Sequence, residues 1–177
     1  MAKTIEKARV AGAAFSSVRN SNHFGIAGFY SEMAARKDMI GIGMTNTAAL
    51  GVPTFGRKAM FGTNPIAFSI PAHDGRMFTL DMATTVVTRG KIEVYDRENK
   101  PLPSGWAVDT RGKGTSDAHR LLEDMLYQRG GGLLPLGGEG ELLSGYKGYG
   151  LAEVVDILTA ILSGGVFGQA VIDSQAT

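Results

Sequence analysis

Cysteine is missing from all 177 residues. That excludes disulfide frameworks, thiolate-ligated zinc, iron–sulfur clusters and thiol catalysis, and it fits a reducing, cytoplasmic setting. No apolar run reaches the ~18 residues that cross a bilayer. The charged opening Met1-Ala2-Lys3-Thr4-Ile5-Glu6-Lys7-Ala8-Arg9 lacks the apolar centre of a secretion signal. Charge of one sign is not in excess either: 18 Lys and Arg stand against 17 Asp and Glu, a formal +1. A dedicated nucleic-acid surface is therefore not expected, and neither is a membrane partner.

Several familiar motifs are absent as well. Gly41-Ile42-Gly43 lacks the third glycine of G-x-G-x-x-G, and Gly138-Glu139-Gly140 has Leu143 where that glycine belongs. Gly140 to Gly148 superficially looks like a phosphate loop. Tyr146 separates Gly145 from Lys147, however, and no Ser or Thr follows the lysine. No G-x-S-x-G elbow supplies a hydrolase serine. His23, His73 and His119 are too scattered for a local metal motif, and no carboxylate pair stands out as a glycosidase acid and base.

What the chain has in excess is glycine, 25 residues, about twice the usual ~7%. Such an excess suggests tight turns and close backbone approaches to a ligand. With 44% hydrophobic and 20% charged residues, the composition is globular, and the length fits one domain.

Periodicity predicts a helix over Met1–Val10, a short strand over Ala13–Val18, and a helix over Gly25–Lys37 with Ile26, Phe29, Tyr30 and Met33 at helical spacing. A buried strand follows over Met39–Thr45. Residues 46–64 read as a long irregular segment, uncommon unless functional. Strands over Pro65–Ile70 and Met77–Leu80 flank the turn His73-Asp74-Gly75. Asp81 ends the second strand, with a helix beginning near Ala83 or Thr84. Lys100–Gly114 is turn-rich, and Ala118–Leu126 is a short helix. Leu151, Val154, Val155, Leu158, Ile161 and Leu162 give the best helix signal, which Gly164 and Gly165 stop. The alternation of helices and strands favours a mixed α/β domain.

Four stretches put a polar group beside glycine or a small residue at the end of a predicted element: Ser21-Asn22-His23-Phe24-Gly25, Gly62-Thr63-Asn64-Pro65, Asp81-Met82-Ala83-Thr84 and Tyr146-Lys147-Gly148-Tyr149-Gly150-Leu151. His23 reads either as an idle loop or capping residue or as a general acid/base, since histidine titrates near neutrality. Lys147 is either a solvated loop lysine or the cation of an anion site, where a helix start would add free N–H groups and partial positive charge. Asp81 fits a cap of the following helix better than a catalyst. Asn64 before Pro65 reads as a turn former.

Together these stretches resemble the type-2 malate/L-lactate dehydrogenase family, a group that includes sulfolactate and ureidoglycolate dehydrogenases and imino-acid or diketogulonate reductases. Arg89-Gly90-Lys91, Pro103-Ser104-Gly105-Trp106-Ala107 and Leu134-Pro135-Leu136-Gly137-Gly138 extend the match, which runs from the first helix to about Gly168. Each motif is weak alone; their order and spacing are specific.

The resemblance implies an NAD- or NADP-binding domain of non-Rossmann type, with a mixed, largely antiparallel sheet flanked by helices. It implies a homodimer that transfers a hydride between the nicotinamide and a small 2-hydroxy or 2-oxo acid. It implies that His23 is the candidate proton acceptor, or at least lies at the nicotinamide, and that Thr47, Asp81, Met82, Ala83, Lys147 and Gly148 contact the dinucleotide. Family members are longer, with an N-terminal segment whose Ser-His-Gly motif and arginine help to hold or protonate substrate. By that resemblance, residues 1–177 are a single cofactor-binding domain of a longer enzyme, without its N-terminal substrate segment and C-terminal part. The histidine of that segment competes with His23 for the acid/base role. Two other readings stand beside this one: a non-catalytic dinucleotide-binding or assembly module, and a phosphate-ligand binder with no redox role.

Overall fold

The computed structural model describes residues 1–171. Helix α1 (Ala2–Ala11) opens the chain and buries none of its residues. The strand expected over Ala13–Val18 does not form. Phe15 and Val18 stand exposed, and no backbone ladder meets this segment among the described residues. Alternating apolar residues become a strand only where a neighbouring edge takes up their N–H and C=O groups.

Helix α2 (Ala27–Ala35) lies on a three-stranded antiparallel sheet in the order β1 (Gly41–Met44), β2 (Ile66–Pro71), β3 (Met77–Met82). The expected helical spacing holds, but the buried face is the opposite one. Ala27, Gly28, Ser31, Ala34 and Ala35 face the sheet, whereas Ile26 is 72% and Phe29 60% exposed. The cause is close approach: a Cβ at Gly41 would overlap the Ser31 carbonyl. Only small side chains fit between elements packed so closely. Ser31 and Ser69 share a buried hydroxyl bond of 2.7 Å there. The tight turn His73-Asp74-Gly75 joins β2 to β3 as expected.

Asp81 does not end its strand, since β3 runs through Met82, and the next helix starts later than expected, at Arg89. Residues 84–86 form a bent, non-helical segment instead, tied down by an isolated bridge from Thr85 to Pro135. The Thr84 N–H donates to the Thr63 carbonyl at 2.9 Å, and that of Val86 donates to Leu134 at 2.9 Å. These tertiary backbone bonds compete with a helical start and win.

Helix α3 (Arg89–Arg97) packs on α4 (Ala118–Leu126), whose limits match the sequence reading. Asp117 caps α4 by accepting the Arg120 N–H at 2.9 Å. Between and below them lies the main core: Ile92, Leu102, Leu121, Met125 and Leu133, with Tyr95 and Trp106 at its edge. Each such side chain, fully buried, contributes roughly 1.5–3 kcal/mol. The short antiparallel pair β4 (Ala107–Val108) and β5 (Gly132–Leu133) closes this core.

Helix α5 (Gly145–Asp156) continues as a π-helical stretch over Ile157–Ile161. It ends where Gly164, at φ 68, and Gly165 return their N–H groups to Ile161 and Ala160. Mixed α/β architecture with small antiparallel sheets is thus the outcome. No described helix is long and apolar enough to cross a membrane.

Candidate functional site

A relay of hydrogen bonds joins three of the four stretches singled out from sequence. The Thr63 N–H donates to the Thr47 hydroxyl at 3.0 Å, and the Thr47 N–H donates to Asn64 Oδ1 at 3.2 Å. The Thr63 carbonyl accepts both the N–H and, at 3.1 Å, the hydroxyl of Thr84. The Thr84 carbonyl then accepts the Leu136 N–H at 2.8 Å, and the Leu136 carbonyl accepts that of Gly148 at 3.1 Å. Thr47, the segment just after Met82 and Ala83, and the first turn of α5 are therefore tied together over 101 residues of sequence. A shallow open depression along this line is bordered by Phe61, Gly62, Thr84, Pro135 and Tyr149.

Lys147 lies within the first turn of α5 rather than upstream of it, and its side chain is exposed. The helix start offers fewer free donors than expected: of its first four N–H groups, that of Tyr146 is the one without a carbonyl partner among the described residues. The N–H groups of Gly145, Lys147 and Gly148 already donate to the carbonyls of Gly140, Ser144 and Leu136. Any anion held here relies on the ammonium of Lys147 more than on the helix end. Gly148 is buried, and a Cβ there would overlap the Leu136 backbone. Gly150 differs: beyond its own helix backbone and chain neighbours, nothing lies within 4 Å of where its Cβ would stand. Lys147 and Gly150, three apart, share one face of α5, and that face is bare at the glycine. A flat group can reach the helix backbone beside a cation at this point. Tyr149, next to it, carries a phenol pushed above its ordinary pKa by a hydrogen bond to Glu153, with burial adding to the shift.

Asp81 is not at a strand end but inside β3, and its Oδ2 accepts the Gly28 N–H at 2.7 Å. It caps the preceding helix α2, not the following one. Met82 and Ala83 are half-buried between Asp81 and the relay. His23 lies in an exposed segment ahead of α2, and its Nδ1 accepts the Gly25 N–H at 3.2 Å. In the neutral ring that bond places the proton on Nε2. To take up a proton at Nε2, the imidazole must first release Gly25. His23 thus stays apart from the relay, and among the described residues α2 and the Asp81 cap join the two.

Two residues escaped the sequence reading. Asn64, read as a turn former, is fully buried and is the hub of the relay. Asp156 is a carboxylate on the apolar face of the best-patterned helix. An acid at helical spacing from Ala152, Val155 and Ala160 was the signal available for it.

A family model described as malate/L-lactate dehydrogenase matches residues 1–177. The chain belongs to that family. It is 53% identical over 171 residues to a malate dehydrogenase of Pyrococcus abyssi, covering 97% of this chain and 45% of that protein. The crystal structure of malate dehydrogenase from Entamoeba histolytica superposes with a TM-score of 0.89 at 39% identity, over 95% of this chain and 46% of the other. The delta1-piperideine-2-carboxylate reductase of Pseudomonas syringae pvar. tomato superposes with a TM-score of 0.84 at 34% identity, over 98% and 48%. The chain thus spans about half the length of the family members it matches.

Proposed function

We propose that residues 1–177 form the dinucleotide-binding domain of an NAD- or NADP-dependent oxidoreductase that interconverts small 2-hydroxy and 2-oxo acids. The bare face of α5 carries this reading: Lys147 and Gly150 stand side by side, next to a helix turn tied through Leu136 and Thr84 to Thr47. The family supports it, with relatives named for malate and for a cyclic imino acid. The domain is of non-Rossmann type in this reading, in keeping with antiparallel pairing throughout the named strands.

A bound nicotinamide nucleotide would supply the hydride acceptor or donor. Lys147 would neutralise a phosphate of it. Gly148, packed on Leu136, and Thr47 would hold backbone and hydroxyl groups against it, and Asp81, Met82 and Ala83 would line it along the end of β3. Only Oδ2 of Asp81 is used by its cap, which leaves the other carboxylate oxygen to face a ligand. His23 would accept the substrate hydroxyl proton at Nε2 after giving up the Gly25 bond. We also place the enzyme in the cytoplasm as a homodimer. The lack of cysteine and the apolar outer sheet face of Ile42, Ile70, Phe78 and Leu80 support this.

A fluorescence titration with NADH and NADPH tests the binding half. Saturation below about 1 mM is expected, and no change up to that concentration overturns it. A second reading, a dinucleotide-binding or assembly module without catalysis, is favoured by the place of His23, exposed and apart from the relay. Reduction of pyruvate or oxaloacetate by this chain with NADH or NADPH would end that second reading.

A further inference from the structure

Asp156 has no part in that function, yet it is built into the site. It closes α5, is only 6% exposed, and its Oδ1 is buried with no hydrogen-bond partner among the described residues. Immediately after it the helix changes from α to π. Such stretches are rare and concentrate at functional sites. Burial pushes its carboxyl above the usual carboxylate range, while the Asn64 amide and the Gly168 N–H act in the opposite direction. No charged group takes part among the described residues. On α5, Tyr149 and Glu153 pair with each other, and the segments of Asn64 and Gly168 present only amides.

Asn64 connects this acid to the cradle. Its Nδ2 donates to the Ala152 carbonyl at 3.0 Å, and its Oδ1 accepts the Thr47 N–H at 3.2 Å. The Ala152 carbonyl that it binds lies one turn of α5 before Asp156, which sets the second N–H of this amide beside the buried carboxyl. A flipped amide would set N–H against N–H at Thr47 and oxygen against oxygen at Ala152. Asn64 also holds a left-handed backbone, φ 37, which persists only where its surroundings over-determine it.

We propose that Asp156 is a positioning residue for the dinucleotide cradle: its carboxyl holds the Asn64 amide, and Asn64 holds the Thr47 backbone against the helix that carries Lys147 and Gly148. The inference rests on the cofactor reading above. It predicts a pH response, because ionising an acid buried without a cation draws in water and loosens the amide cluster.

The test uses the 177-residue chain, Asp156→Asn, which keeps an acceptor without a charge, and Asp156→Ala, which keeps neither. The Thr47 amide resonance is followed against pH in the free proteins, and NADH and NADPH affinities are measured on the same samples. In the wild type the Thr47 resonance should move in step with the Asp156 carboxyl, and affinity should fall as pH rises through that titration. Asp156→Asn should flatten both profiles and bind within about twofold of the low-pH wild type. Asp156→Ala should weaken binding about 2- to 10-fold, the worth of one ordinary hydrogen bond. If Asp156→Ala does not fold, the wild-type and Asp156→Asn profiles decide. A Thr47 resonance indifferent to Asp156, or affinities unchanged across pH and variants, overturns the proposal. If Thr47 follows Asp156 but no protein binds a dinucleotide, the coupling stands and the cofactor reading alone falls.

Discussion

The carboxylate of Asp81 caps a helix that begins 54 residues before it in the chain, accepting the Gly28 N–H at 2.7 Å. Helix α2 has Ile26 at its N-cap and no side-chain cap of its own, so β3 supplies what the local sequence lacks. The same bond pins the end of the segment that carries His23. Asp81→Ala should lower stability by about 0.5–2 kcal/mol, read as a fall of a few degrees in melting temperature without cofactor. An unchanged melting temperature would mean that the cap carries no weight.

Gly148 and Gly150 should respond in opposite ways. Gly148→Ala drives a methyl into the Leu136 backbone and should cost about 1–3 kcal/mol or more in urea unfolding. Gly150→Ala meets open space and should stabilise the helix by about 0.5–1 kcal/mol. It should nevertheless weaken NADH or NADPH binding, because the methyl occupies the bare face beside Lys147. Equal affinity in Gly150→Ala would move the ligand elsewhere.

Lys147→Met keeps the apolar stem and removes the charge. With three of the first four helix N–H groups already used, the ammonium carries most of the attraction for a phosphate. Affinity for both nucleotides should drop by about 10- to 100-fold, matching the ~1.5–3 kcal/mol of a charge-assisted bond. The side chain is exposed, so the unfolding midpoint should hardly move. A titration curve that overlays the wild type would return Lys147 to the solvated surface.

His23 is exposed and bonded only to its neighbour Gly25. His23→Ala should leave both the melting temperature and dinucleotide affinity nearly unchanged. In an active enzyme it should lower turnover by about 10²–10⁴-fold. Activity within a factor of a few of wild type would transfer the acid/base role to a histidine outside this chain.

Asp156 sets a pH dependence of stability whose sign follows from its raised pKa. The folded state holds the proton more tightly than the unfolded one, so the unfolded state binds fewer protons between the two pKa values. Stability is therefore full below the unfolded value and falls as pH rises through the folded one. Melting temperatures measured from pH 4 upward should decline over that window in the wild type, and Asp156→Asn should remove this part of the decline. A wild-type profile identical to that of Asp156→Asn would assign the decline to other groups.

The sequence by itself determined the elements whose signals are local. The limits of α4 follow from its periodicity and the Asp117 cap, the β2–β3 hairpin from His73-Asp74-Gly75, and the end of α5 from Gly164 and Gly165. The ordered motifs carried the family, because their order and spacing together are specific even where each motif is weak. Only the tertiary structure decided which face of α2 is buried. Periodicity locates a stripe, but close packing on Gly41 and Gly43 selects the small residues over Ile26 and Phe29. It also decided that residues 84–86 stay out of a helix, that Ala13–Val18 is no strand and that Asp81 caps backwards, since each depends on a partner far away in the chain. The Asn64–Asp156 contact belongs with these. A turn-forming asparagine and an acid in a helix have no visible connection until folding buries both within one helical turn of each other, where burial raises the cost of leaving either polar group unpaired.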